Sequence, residues 1–360
     1  MAPLTISQIE LYRCQFKANL NYWFARRTMD TALFARIRSG QFEGWGECLD
    51  LFDADSFDYL RQGASQLIGK NALHLEGIIP NEIERLHVRE CLEIALLDLV
   101  GQASGLAVHT LLGGKKNERI AAMPVIHLGT PDEMAEKAKK WDYHYFKAKL
   151  SCQPELDLEI VRAVRQANPD CVLYLDFNCG LADLETAKSI FEQMSCLGVS
   201  VIEDPVGDAV ELSRYRELRE ESTGVKLMID AKARGLNDIR KLIEYEAADV
   251  INLHTSVQGG LLRAKERAAL AATAGIDCIV GSDGFLGIAS SAYQSLASVV
   301  LTEGFPCEEV GGAVYHGVEV VKQAYPQEHG MICVPDKPGL GVQVDIEKLN
   351  QITTDRVSLQ

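Results

Sequence analysis

Four short apolar runs decide the fold: YFKAKL (145–150), CVLYLDFN (171–178), VSVIEDP (199–205) and VKLMIDAK (225–232). Each carries a charged residue at its end: Lys149, Asp176, Glu203 and Asp230. Successive ends lie 27 residues apart, about one strand–helix unit. A fifth run, ADVINLH (248–254), ends in His254. Between the runs lie amphipathic stretches such as PELDLEIVRAVRQAN (154–168), LETAKSIFEQMSCLG (184–198) and GLLRAKERAALAATAG (260–275). Short apolar runs alternating with helices predict a parallel β/α barrel. AAMPVIHL (121–128) reads as the first strand, IDCIVGSD (276–283) as the seventh and GFPCEEVGG (304–312) as a weak eighth, with a poorly marked last helix.

In such a barrel the C-terminal strand ends open onto one face, so five residues distant in sequence converge there. Asp176, Glu203 and Asp230 are three carboxylates on consecutive strands. Without a counter-ion one of them would take up a proton. Oxygen donors of this kind suit Mg²⁺, with Mn²⁺ as a substitute. Lys149 and His254 flank the carboxylates and are candidate acid–base groups on opposite sides of the mouth. Lys147 shares the strand face of Lys149, and a second ammonium there would lower the pKa of Lys149.

Outward from the barrel the pattern changes. LTISQIELYRC (4–14), TALFARIRSG (31–40) and FEGWGECLDLF (42–52) read as strands, with NYWFARRTMD (21–30) as a loop between the first two. HVRECLEIALLDLVGQASG (87–105) follows as a helix with one apolar face. Strands first and helices second suggest a separate α+β domain. The division expected is 1–118 for this domain, 119–325 for the barrel and 326–360 for a C-terminal segment. That segment returns to close the barrel or rejoin the first domain.

Composition narrows the class of function. Lys and Arg number 36 against 51 Asp and Glu, a net charge of −15 that disfavours a nucleic-acid partner. No apolar stretch is long enough for a membrane span, and the first residues do not resemble a secretion signal. Ten scattered cysteines without a Cys-x-x-Cys pair read as buried free thiols in a reducing cytoplasm.

Lys147-Ala-Lys149, Asp176-Phe-Asn178, Ile202-Glu203-Asp204-Pro205, Met228-Ile229-Asp230, the Gly259-Gly260 pair, GWGEC (44–48) and PDKPGLGVQVD (335–345) together resemble the enolase superfamily, in its muconate-lactonizing and mandelate-racemase branch. The resemblance implies an α/β fold: a modified (β/α)₇β TIM-like barrel under an N-terminal α+β capping domain completed by the C-terminal segment. It implies Mg²⁺ held by Asp176, Glu203 and Asp230, and abstraction of the proton α to a carboxylate through an enediolate. It also implies a small carboxylate substrate and a dimer or octamer. The chain departs from the pattern at His254, where relatives with the same lysine motif usually carry a second lysine. Asp283, after the seventh strand, is its expected partner.

The expected reaction is racemisation or epimerisation of an amino-acid derivative or hydroxy acid, with Lys149 and His254 on opposite faces. The alternatives are a dehydratase, a cycloisomerase and a non-catalytic binding protein on the same scaffold. Asn178, Trp23, Tyr22, Glu308 and Lys232 are candidate substrate contacts. Trp23 is preferred over its neighbours Arg26 and Arg27, because an exposed aromatic in a loop is the rarer feature. Glu309 rivals Glu308. Asp50, Asp53 and Asp55 form a second acidic loop, and His127 ends the first barrel strand.

Overall fold

A computed structural model describes residues 3–50, 55–80, 83–221 and 224–360. Three antiparallel strands open the chain: β1 (Gln8–Asn21), β2 (Arg26–Ser39) and β3 (Phe42–Leu49). β1 and β2 run further than the sequence pattern indicates. Cross-strand pairs continue to Leu20–Arg27 and Asn21–Arg26, so the expected loop is a tight turn closed by Tyr22 N–H on Ala25 O at 2.8 Å. Arg26 and Arg27 therefore belong to a strand and not to a loop.

The helix Leu86–Ser104 lies on this sheet and is buried along nearly its whole length, from His87 to Gly101. Gly44 and Gly46 of β3 make that possible. A β-carbon on Gly46 would stand 1.9 Å from Cys91 O, and one on Gly44 would stand 2.2 Å from Ala95 O. Backbone thus meets backbone, and the GWGEC motif is explained by contact with the helix.

After β4 (Arg119–Ala121), seven parallel strands form the curled second sheet: β5 (Val125–Ile126), β6 (Tyr145–Lys149), β7 (Val172–Asp176), β8 (Val199–Glu203), β9 (Lys226–Ile229), β10 (Val250–Leu253) and β11 (Asp277–Val280). The weak eighth strand is reduced to one residue. Cys307 bridges Val280 on one edge and Ala122 on the other, which closes the circle. Alternation along the strands stacks the interior in levels. Met123, Tyr174, Val201, Met228, Val250 and Ile279 form an apolar plug. Two residues further along each strand stand Val125, Asp176, Glu203, Asp230, Asn252 and Gly281.

The tail divides between both parts. β12 (Gln327–Glu328) and β13 (Met331–Cys333) form a small sheet with β4, and β14 (Thr353–Leu359) pairs with β1 as the fourth strand of the capping sheet. Cys14, Cys48, Cys91, Cys171, Cys278 and Cys307 are buried free thiols. Among the described residues no helix is long and apolar enough to cross a membrane.

Candidate active site

The candidate residues gather at the C-terminal rim of the parallel strands. Lys149, Asp176 and Glu203 are neighbours in the β6–β7–β8 register. Asp230 and His254 directly follow β9 and β10. A cavity of ≈140 Å³ is lined by Lys147, Lys149, Asn178, Asp230, His254, Asp283 and Glu308, and toward the cap by Leu20, Tyr22 and Arg27. Cap and barrel together enclose it.

Two ammonium groups hold the carboxylates. Lys147 Nζ lies 2.7 Å from Glu203 Oε2, 2.6 Å from Glu308 Oε1 and 3.7 Å from Asp176 Oδ2. Lys149 Nζ donates to Asp176 Oδ2. Burial works against an ionised Asp176, but Lys149 and Lys147 outweigh it and hold the carboxyl down at about 2. Glu203 is pushed well up by burial and by Asp176, despite Lys147. Burial and Lys147 both favour a neutral Lys149, as the sequence suggests. Asp176 and Glu203 prevail, however, and the pKa of Lys149 ends above its ordinary value.

Asp204 explains the acidic pair in its motif. It accepts from Asp230 N at 3.1 Å and Ala231 N at 2.8 Å, which fixes the strand end carrying Asp230. Asp176 Oδ1 likewise accepts from Asn178 N at 2.7 Å. Among the described residues no three His, Cys, Asp or Glu side chains stand as a ready-made metal cage. The donors nevertheless fit a hard divalent cation: three carboxylates lie on consecutive strand ends, and Asp176 and Asp230 both bear electrostatically on Glu203.

His254 and Asp283 face each other, with Nδ1 3.7 Å from Oδ1, inside ion-pair range and beyond a direct hydrogen bond. Burial alone would depress the imidazole. Asp230, Asp283 and Glu308 reverse that, and its pKa rises.

Other residues sort by position. Glu308 lines the cavity, while Glu309 is turned into the wall, accepting from Ser290 Oγ and Gly311 N. The ring of Tyr22 lies 5.4 Å from Lys149 Nζ. Trp23 is not among the lining residues; its indole donates to Phe177 O at 3.0 Å. Arg27 lines the cavity in its place, braced by Asp30 at 2.6 Å. Lys232 pairs with Asp208 away from the cavity. His127 is a lining residue held neutral by burial and nearby lysines. Asp50 and Asp55 do not line the cavity, and Asp53 lies outside the described residues. Asn252 escaped the sequence reading. Its Nδ2 donates to Glu203 Oε1 at 2.8 Å and Glu308 Oε1 at 3.2 Å. Its signal was its place two residues before His254, as Lys147 stands two before Lys149.

Comparison with known proteins agrees with this architecture. Residues 132–349, more than half of the chain, match the family described as "Enolase C-terminal domain-like". The chain is 28% identical to an N-succinyl-L-Arg/Lys racemase of Bacillus cereus, over 80% of this chain and 78% of the relative. It is also 28% identical to a D-Ala-D/L-Ala epimerase of Cytophaga hutchinsonii, over 94% and 95%. Its fold is similar to a crystal structure of the Bacillus cereus N-succinyl Arg/Lys racemase, with a TM-score of 0.89, 24% identity and coverage of 99% and 100%. A dipeptide epimerase from Cytophaga hutchinsonii, solved with Mg and the dipeptide D-Ala-L-Val, gives 0.88 at 24% identity, covering 99% and 100%. The chain belongs to the enolase superfamily, in its mandelate racemase and muconate lactonizing enzyme branch.

Proposed function

We propose that the protein racemises or epimerises a small carboxylic acid by moving the proton α to its carboxylate. The observation that carries this reading is that Lys149 and His254 line one cavity from β6 and β10, with the carboxylate-bearing ends of β7, β8 and β9 between them. Asp176, Glu203 and Asp230 would hold Mg²⁺, or Mn²⁺ in its place. When bound, the metal supplies positive charge against the substrate carboxylate and the negative charge that gathers there as the proton leaves. Lys149 Nζ serves one face of the α-carbon and His254 the other, one accepting while the other donates. Tyr22 and Arg27 close the cavity toward the cap. N-acyl amino acids and dipeptides are the first substrates to test, given the racemase and epimerase relatives. A dimer or octamer is expected, and sedimentation reads it.

The test is proton NMR in deuterated water with Mg²⁺ and pooled N-acyl amino acids, dipeptides and hydroxy acids. Loss of the α-proton signal without a new compound is the expected result. Lys149→Ala and His254→Asn should each lower racemisation by about 10²–10⁴-fold. Full activity in either variant would sink the two-base scheme. Asp176→Asn, Glu203→Gln and Asp230→Asn should each weaken Mg²⁺ binding in a calorimetric titration. A second reading has its own support. A protonated His254 beside Asp283 is suited to donate to a departing hydroxide, so an unsaturated or keto product in the same experiment would identify a dehydratase.

A further inference from the structure

The helical turn Thr255–Gln258, which follows His254, lines a second cavity of ≈450 Å³ that among the described residues shares no lining residue with the first. That volume lies within the usual span of small-molecule sites, about 300–1,000 Å³. One wall comes from residues 84–87, where the cap helix begins, and the other from the barrel. Among the described residues four arginines line it, Arg85, Arg234, Arg263 and Arg267, against a single carboxylate, Glu84. In a chain of net charge −15 such a cluster is not a product of composition.

The arginines are built into place to different degrees. Arg267 is buried, and its Nε and Nη1 donate to Arg234 O at 2.9 Å and Arg263 O at 2.7 Å. Arg263 is partly buried; it feels the repulsion of Arg89, which is itself committed to Glu93 and Gly259 O, and a weaker attraction from Glu93, Glu266 and Glu76. Among the described residues neither Arg234, which is exposed, nor Arg263 has a side-chain hydrogen bond or ion pair. Two further lining groups are unmet: among the described residues Ser256 Oγ and Gln258 Oε1 have no hydrogen-bond partner, although these residues are only 2% and 1% exposed. Buried polar atoms are normally paired, so unpaired ones at a cationic cavity point to a ligand. Leu86 and Val257 also line it and leave room for carbon as well as charge.

We propose that this cavity binds a small oxyanion that carries a hydroxyl or an acid proton, a phosphate or carboxylate compound, through Arg234 and Arg263, with Ser256 donating to it and Gln258 accepting from that hydroxyl or acid proton. The bound anion rests against the turn that begins one residue after His254, so occupancy bears on the placement of that imidazole from outside the reaction chamber.

The test is calorimetric titration of the full chain, without added metal and at fixed ionic strength, with citrate and separately with pyrophosphate. One saturable site is expected for at least one of the two. Binding should weaken by about tenfold or more in the Arg234→Gln/Arg263→Gln variant. It should be unchanged in Arg216→Gln, which removes a positive charge from an exposed pair with Glu220. In the unsubstituted chain, the bound anion should protect Arg234 and Arg263 from modification by phenylglyoxal, mapped by mass spectrometry. That readout stands even if the double variant fails to fold. Absence of binding at millimolar anion overturns the proposal, as does equal weakening in Arg216→Gln or a lack of protection. A change of oligomeric mass in the double variant without anion also overturns it, because the cavity would then be covered by a second copy of the chain.

Discussion

The imidazole of His254 fills the space a side chain at position 281 would need: a β-carbon on Gly281 would stand 2.0 Å from His254 Cδ2 and 2.6 Å from Nε2. The strand end after β11 is kept bare so that the ring fits. Asn252 Oδ1, at 2.5 Å, would be pressed as well, and Gly281→Ala should displace these side chains, His254 most of all, rather than unfold the barrel. A shift of about 1 Å is enough to cost about 10²-fold in rate. Exchange of the α-proton on the face served by His254 should fall by that factor, while exchange on the Lys149 face persists. Equal loss on both faces would contradict this assignment.

Asp283 is one of three carboxylates that lift the pKa of His254 against the depressing effect of burial. In Asp283→Asn that support weakens and the pKa falls. The limb of the pH–rate profile that reports protonated His254 should move to lower pH. An unmoved limb would mean that Asp230 and Glu308 suffice.

Glu47, on β3, reaches across to the barrel and accepts from Leu286 N and from Ala289 N, the latter at 2.9 Å, beside the start of the helix Ile288–Val300. Burial raises its pKa from 4.5 to about 7, against those hydrogen bonds. Between these values the native state keeps a proton that the unfolded chain gives up. The stability this contributes is full below pH 4.5 and is lost as pH climbs through about 7. Denaturant unfolding of the parent and of Glu47→Gln should show the parent losing stability more steeply over that window. Parallel pH profiles would dismiss Glu47 as the source.

Gly46→Ala forces a β-carbon to within 1.9 Å of Cys91 O. Neither partner is a flexible side-chain tip, so sheet and helix must separate. The expected loss is about 3 kcal/mol, the upper end for overpacking, read as a lowered denaturant midpoint. A change below about 1 kcal/mol would mean that the cap helix slides without cost.

Much of the barrel and its rim was legible because strand period and unit length both leave marks in one dimension. Lys147, Lys149, Asp176, Glu203, Asp230 and His254 each end a run or sit two residues from such an end, and so does Asn252. The cap was harder to read. The helix Leu86–Ser104 shows an apolar face of Val88, Cys91, Leu92, Ala95, Leu96 and Leu99, and its other face looks solvated. Yet Arg89, Glu90, Glu93 and Asp98 are also buried. That face meets the barrel and the C-terminal segment, where Glu90 accepts from Tyr293 OH at 2.8 Å and Asp98 from Leu340 N at 2.8 Å. Partners some 200 residues distant leave no local pattern. Arg27 was undervalued for a related reason: its direction depends on how far the β1–β2 ladder runs, which is a matter of pairing and not of composition.

The pairing of β14 with β1 has a consequence for biosynthesis. Gln8 Nε2 meets Ser358 Oγ at 3.2 Å across a separation of 350 residues. On the ribosome β1 therefore emerges before the barrel, and one of its edges waits while the entire barrel is made. During that interval the nascent chain carries an open strand edge, the feature most prone to mispairing with another chain. The barrel can assemble from neighbours in sequence, whereas the roof over its mouth is finished last. Activity in a translating system should thus lag behind the appearance of barrel structure.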